Sequence, residues 1–140
     1  MIVLDSTILV DIFQGNDIAR RFLDHVLNFF PDDDVATTAV NYYEIYVGIN
    51  HRKSKKEDLF FREFLRDITI LDLDRKSAEE ASKIMARLLS DGRPIKSLDV
   101  LIAGIAKANG ATRLVSRDRH FECISDVVDF EILVYESQMK

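Results

Sequence analysis

The chain has 140 residues, 47% hydrophobic and 31% charged, with only 5 Gly and 2 Pro; this suits one globular domain over 1–140 and excludes a disordered or collagenous chain. No apolar run approaches the roughly 20 residues that span a bilayer. The start MIVLDS lacks a basic region, so neither membrane anchor nor signal peptide is expected and the expected compartment is cytoplasmic. The formal net charge of -5 argues against nonspecific nucleic-acid binding through a basic surface, and the lone Cys123 excludes an intramolecular disulfide.

Ile2 to Leu4 is a short apolar run that stops at Asp5-Ser6, with Ile8, Leu9, Ile12 and Phe13 following; the pattern predicts a buried strand running straight into a helix capped by Asp5 or Ser6. Gly15-Asn16-Asp17 breaks that helix, and Asp17 is the expected cap of the next. There Ile18, Phe22, Leu23, Val26, Leu27 and Phe30 recur at helical spacing until Pro31. Val35-Ala36-Thr37 reads as a second strand, and the stretch from Thr38 to Ile49 as a helix. HRKSKK, from His51 to Lys56, reads as a polar basic loop before an amphipathic helix with Leu59, Phe60, Phe64 and Leu65. Ile68, Ile70 and Leu71 suggest a third strand. Asp74 then caps a helix with Ala78, Ala81, Met85, Leu88 and Leu89 on one side. Ser97 is expected to cap an almost wholly apolar helix over 98–109, with Gly110 at its C-terminal end. TRLVS, Thr112 to Ser116, and Ile132 to Tyr135 complete the strands.

Short strands alternating with helices predict an α/β fold with a central parallel sheet and right-handed crossovers. Sites in such sheets form beyond the carboxyl ends of the strands, where the strand order reverses. That rule selects among the 24 acidic residues. Asp5 follows the first strand directly, and Asp118 lies two residues past the fourth. Asp99 opens the apolar helix, and Glu44 sits among Tyr42, Tyr43, Ile45, Tyr46 and Val47, where an acid needs a partner. Taken singly, each has an ordinary reading: a cap for Asp5, a helix-dipole partner for Asp99, a turn for Asp118, an ion pair for Glu44. Together they would repel one another at one sheet end, and divalent cations are the natural compensation. An all-carboxylate set suits Mg²⁺ or Mn²⁺, one or two ions, which serve phosphodiester hydrolysis. His25, His51 and His120 have no metal-ligand spacing, and no Gly-rich phosphate loop is present.

The stretches MIVLDSTILVDIF, VNYYEIYVGI and SLDVLIAGIAKANGATRLVSRDRHFE resemble a PIN domain, in order and spacing over nearly the whole chain, and more narrowly the VapC-type toxins of prokaryotic toxin–antitoxin pairs. The resemblance implies a Rossmann-like three-layer α/β fold and Mg²⁺- or Mn²⁺-dependent endoribonuclease activity. It maps an acidic quartet onto Asp5, Glu44, Asp99 and Asp118, with Ser6 and Ser116 as supporting hydroxyls that orient a carboxylate or a metal-bound water. Asp11 recurs in the pattern and reads as structural or as a support behind the acids, because about two helical turns separate it from Asp5. The resemblance further implies a homodimer and inhibition by a cognate antitoxin protein.

An RNA substrate needs cations outside the acidic pocket. Arg117, Arg119 and His120 flank Asp118, and Arg93 and Lys96 precede Asp99; these are the candidate phosphate contacts. Arg52, Lys53, Lys55 and Lys56 read as a solvated loop. Tyr42, Tyr43 and Tyr46 suit base stacking, the core or a dimer surface. Two other classes of protein share parts of this pattern. One is a PIN-like module that binds RNA or protein without turnover. The other is a phosphate-accepting receiver-type switch, which would want paired acids after the first strand, where Ser6 stands, and a Lys after the last, where only Lys140 is available.

Overall fold

The structure, a computed structural model, describes residues 1–136; Lys140 lies outside them. In chain order the elements are β1 (Ile2–Leu4), α1 (Ser6–Phe13), α2 (Asp17–Phe29), β2 (Val35–Thr38), α3 (Ala39–Arg52), α4 (Lys55–Arg66), β3 (Thr69–Leu71), α5 (Arg75–Ser90), α6 (Ser97–Ala108), β4 (Arg113–Ser116), a 3-10 helix (Arg119–Ile124) and β5 (Glu131–Val134). The five strands form one parallel sheet in the order β3-β2-β1-β4-β5. The chain therefore moves outward from β1 through β2 to β3, then returns to lay β4 and β5 on the other side. The strand order reverses between β1 and β4, and the carboxyl ends of these two strands flank the crevice where such folds carry sites.

Alternation along the strands divides the core into two layers. Val3, Ala36 and Leu114 face α5, α6 and the 3-10 helix, where Ile102, Ile105, Leu88 and Phe121 are fully buried. Ile2, Leu4 and Val115 face α1, α2 and α4, packing on Ile8, Leu9, Leu23 and Phe61. α5 and α6 pack tightly at Gly104, where an added Cβ would stand 2.5 Å from the Cβ of Ala81. The three-layer parallel architecture is the expected one. Among the described residues no helix is long and apolar enough to cross a membrane.

Several helix ends differ from the expectation. Asn16, not Asp17, caps α2, accepting from the Ala19 N–H at 2.9 Å. Lys96, not Ser97, is the N-cap residue of α6, and no side chain caps that helix. The Thr38 hydroxyl caps α3, and Asp74 caps α5 as expected, through the Ser77 N–H. HRKSKK is a tight turn rather than a loop. His51 and Arg52 finish α3, Lys53 takes a left-handed conformation at φ 53°, and Ser54 caps α4. Arg52 holds the turn by an ion pair with the buried Glu57. In α5 the buried stripe is Ser77, Ala81, Ile84 and Leu88; Leu89 faces solvent.

Candidate functional site

Asp5 leaves β1 at its carboxyl end and is nearly inaccessible to solvent. It occupies the N-cap position of α1 but makes no capping hydrogen bond with its side chain. Its carboxylate is instead held by side chains from three other elements. Asn41 Nδ2 of α3 donates to Oδ1 at 2.8 Å. The hydroxyls of Ser116, at the end of β4, and Thr7 donate to Oδ2 at 2.7 and 2.9 Å. Thr7 and Ser116 also lie 3.2 Å apart, but each has one hydroxyl proton and the shorter contacts to Asp5 claim them. A carboxylate has about four acceptor positions, so these three donors leave room for one more partner.

Ser116 then builds outward. Its Oγ accepts the Asp118 N–H at 2.9 Å, and Asp118 Oδ1 accepts the His120 N–H at 2.9 Å, with His120 Nδ1 3.0 Å from the same oxygen. Asp118 is thus the N-cap of the 3-10 helix, and it is fastened to the hydroxyl that orients Asp5. Across the crevice the Ser6 hydroxyl donates to Glu44 Oε1 at 3.1 Å. Glu44 has the partner its apolar neighbourhood requires, but that partner is a hydroxyl. Burial, and then Asp5, raise its carboxyl above the ordinary range.

Asp99 differs from the rest. It lies in the first turn of α6, is only 7% exposed, and its Oδ2 is buried without a hydrogen-bond partner among the described residues. Burial, the charge of Asp118 and the charge of Asp5 together push its carboxyl up to about 6. Lys96 and His120 oppose that rise without cancelling it. Asp99 is coupled electrostatically to Asp5, Asp118 and Glu44, so the four acids share one field at the β1–β4 switch point.

The donor set can be tested against a divalent cation. Among the described residues, no three His, Cys, Asp or Glu side chains are already drawn around a single ion position. A Mg²⁺ ion requires few carboxylates and completes its shell with water and phosphate oxygens, so a loose ring of acids suits it better than a closed cage. The buried, unpartnered Asp99 oxygen is the decisive observation. An ionised carboxylate with a bare buried oxygen is costly, and a hard cation at the crevice would satisfy it. The residues present fit Mg²⁺ or Mn²⁺.

The five candidate phosphate contacts fare unequally. Arg117 Nη1 lies 2.5 Å from the buried Asp11, so its guanidinium is turned along α1. Arg119 pairs with Glu136, and at 4.0 Å with Glu122. Arg93 pairs with Asp91 and Asp126 and donates to the Cys123 carbonyl at 2.8 Å, tying the α5–α6 connection to the 3-10 helix. His120 leans on Asp118 through Nδ1. Lys96 is exposed and forms no ion pair among the described residues, and its charge is felt by both Glu44 and Asp99. Tyr46 donates to Asp58 and stacks on Tyr42; burial, and then the Asp58 hydrogen bond, push its phenol up to about 12. Tyr43 is the most exposed of the three.

Sequence reading did not single out Thr7 and Asn41. Asn41 did carry a signal: a polar amide three residues before Glu44 in an apolar helix, on the same helical face.

The fold is that of a small Rossmann-like α/β protein, with its acidic cluster at the switch point of a parallel sheet. The family profile described as PIN domain matches residues 2–127. The chain belongs to the PIN-domain family. It is 29% identical over 131 residues to "Ribonuclease VapC7" of Mycobacterium tuberculosis, covering 91% of this chain and 89% of that one. Over 86 residues it is 30% identical to "tRNA(fMet)-specific endonuclease VapC" of Shigella flexneri, covering 61% of this chain and 65% of that one. Among solved structures it resembles VapBC2 of Rickettsia felis bound to a promoter DNA fragment, with a TM-score of 0.78 and 22% identity over 97% of this chain and 100% of that one.

Proposed function

We propose that this chain is a metal-dependent endoribonuclease that hydrolyses RNA phosphodiester bonds and is the toxin of a type II toxin–antitoxin pair. The observation that carries the reading is the buried, unpartnered oxygen of Asp99 among Asp5, Glu44 and Asp118 at the switch point. The two ribonuclease relatives support the reaction class, and the solved VapBC complex supports an antitoxin partner.

Asp5, Asp99, Asp118 and Glu44 would hold one or two Mg²⁺ or Mn²⁺ ions. A bound ion of this kind supplies Lewis-acid polarisation of the phosphate and a more acidic water. The protein's own part is positioning. Asn41, Thr7 and Ser116 fix the Asp5 carboxylate in one orientation, and Ser6 fixes Glu44. Lys96 places an unpaired positive charge at the mouth of an acidic crevice, where an RNA phosphate must approach. The exposed apolar residues Tyr43, Leu73 and Leu98, bordering a 240 Å³ depression between α3 and α6, support a homodimer surface next to the site.

The test is cleavage of a mixed RNA pool by the purified chain with Mg²⁺, with Mn²⁺ and with EDTA, beside Asp99→Asn. Cutting that needs the metal and disappears in the variant is expected. Cutting that persists in EDTA, or in the variant, overturns the proposal.

A further inference from the structure

Asp11 lies one helical turn beyond Thr7 in α1, so the two side chains share a face. Arg117 runs along that face. Its backbone N–H donates to Thr7 Oγ1 at 2.9 Å, and its Nη1 lies 2.5 Å from Asp11 Oδ1. From the other side Tyr135, just past β5, donates its hydroxyl to Asp11 Oδ2 at 2.8 Å. Asp11 and Tyr135 are almost fully buried, and the Tyr135 ring stacks on Phe22. Burial, with the Asp11 hydrogen bond next, raises the Tyr135 phenol above its usual range, so it remains a donor. The Tyr135 N–H also donates to the Ser116 carbonyl at 3.2 Å.

We propose that Asp11, Arg117 and Tyr135 form a clamp that positions the catalytic edge, and that Arg117 is a positioning residue and not an RNA contact. Its sequence neighbours carry the consequence. Ser116 orients Asp5, and Asp118 is one of the four acids; both are fixed when Arg117 is strapped to α1 at two points. Thr7, the upper of those points, also donates to Asp5. Releasing the guanidinium toward a phosphate would strand the Asp11 charge in the interior. The kinetic consequences rest on the nuclease reading above; the structural ones do not.

Three readouts test the clamp in Arg117→Gln, Asp11→Asn and the double variant. Hydrogen exchange across 115–121 is expected to quicken on the order of ten-fold in each single variant, because a charge-assisted tie has been lost and the segment opens locally. The double variant should be no faster than either single one, since both break the same tie. RNA affinity is then measured in EDTA across a salt series, and the slope should stay at the wild-type value. A lost phosphate contact would instead reduce the slope by about 0.7. In steady-state cleavage kcat should fall on the order of ten-fold or more with KM unchanged, the signature of misplaced groups.

A reduced salt slope with unchanged exchange makes Arg117 an RNA contact and overturns the proposal, as do additive effects in the double variant. Should the wild type cut no RNA, the nuclease reading fails while the exchange comparison still decides the clamp. Tyr135→Phe covers the case in which the ionic variants do not fold. It removes one donor and leaves the ion pair, and exchange is expected to quicken about three-fold; unaltered exchange in that variant overturns the clamp.

Discussion

Replacing Asp99 by Asn should make the metal-free protein more stable while abolishing its activity. The carboxyl moves from an ordinary 3.8 to about 6 on folding, driven first by burial and then by Asp118 and Asp5. That rise corresponds to about 3 kcal/mol of native-state stability forfeited at neutral pH. The sign is fixed by proton counting. Below both values Asp99 is protonated in the folded and unfolded chains and has no effect. Between them the folded chain keeps a proton that the unfolded chain has released, so stability falls as pH rises from about 4 to about 6 and stays low above. Glu44, raised in the same direction, adds to the slope.

An uncharged Asn removes the Asp99 contribution, and a gain of about 1–3 kcal/mol is expected at pH 7, the lower figure allowing for an unpaired buried amide. At roughly 3 °C per kcal/mol for a chain of this size, Tm should rise by about 3–9 °C. The assay is thermal melting in EDTA from pH 5 to 8, wild type beside variant, repeated with Mg²⁺. Wild type should be the weaker partner in EDTA at pH 7 and recover with Mg²⁺, by about 2.7 kcal/mol at a hundred-fold excess over Kd. The variant should respond little. A variant that melts below wild type in EDTA at pH 7, or a wild type whose Tm does not fall between pH 5 and 7, would refute the argument that Asp99 is held against its charge.

Three further outcomes follow from other residues. Asn41→Ala removes the amide donor to Asp5 Oδ1 and should cost about 1–3 kcal/mol in denaturant melts, with kcat reduced on the order of ten-fold as Asp5 loses its orientation. Gly104→Ala should destabilise by about 3 kcal/mol or more, because the new Cβ would lie 2.5 Å from Ala81 Cβ and 2.7 Å from the Ser77 carbonyl oxygen; an unchanged Tm would mean α5 and α6 can part freely. Lys96→Gln should weaken RNA binding and lower the salt slope by about 0.7, and an unaltered slope would remove Lys96 from the RNA path.

The parallel sheet was legible because short strands alternate with longer helices, as in Ile2 to Leu4 before Asp5, whereas the strand order that sets the switch point was not. Helix starts were less so. Asp17 and Ser97 are both good capping types, yet the chain enters α2 through Asn16 and α6 through Lys96; several neighbouring residues qualify, and backbone direction decides among them. The basic stretch from His51 to Lys56 resembled a loop because charge hid its periodicity. Two helices meet there through Lys53 and Ser54 alone. At the site, Asp5, Glu44 and Asp99 stood out as acids beside apolar runs, and Asp118 by its place just past the fourth strand. Thr7 and the fate of Arg117 did not, because Thr7 meets Arg117 and Arg117 meets Asp11 across 110 and 106 positions of the chain. An arginine beside a candidate ligand looks like a substrate contact until the acid that claims it is seen.

The site divides its labour unequally, and the division has a physical reason. Asp5 is satisfied by three neutral donors, which orient it without adding charge that would compete with a cation. Had Asn41 been a lysine, Asp5 would be more stable and a worse ligand. Asp99 is left with a bare oxygen and a carboxyl raised to about 6, so the strain of the crevice is concentrated on one group. The only cation near it without an ion pair among the described residues is Lys96, which is exposed and therefore weakly coupled. A fold selected for stability alone would have buried a partner against Asp99. That it has none among the described residues, while Asp11 in α1 receives both an arginine and a tyrosine, supports the proposal that Asp99 is held for a ligand and Asp11 serves the architecture.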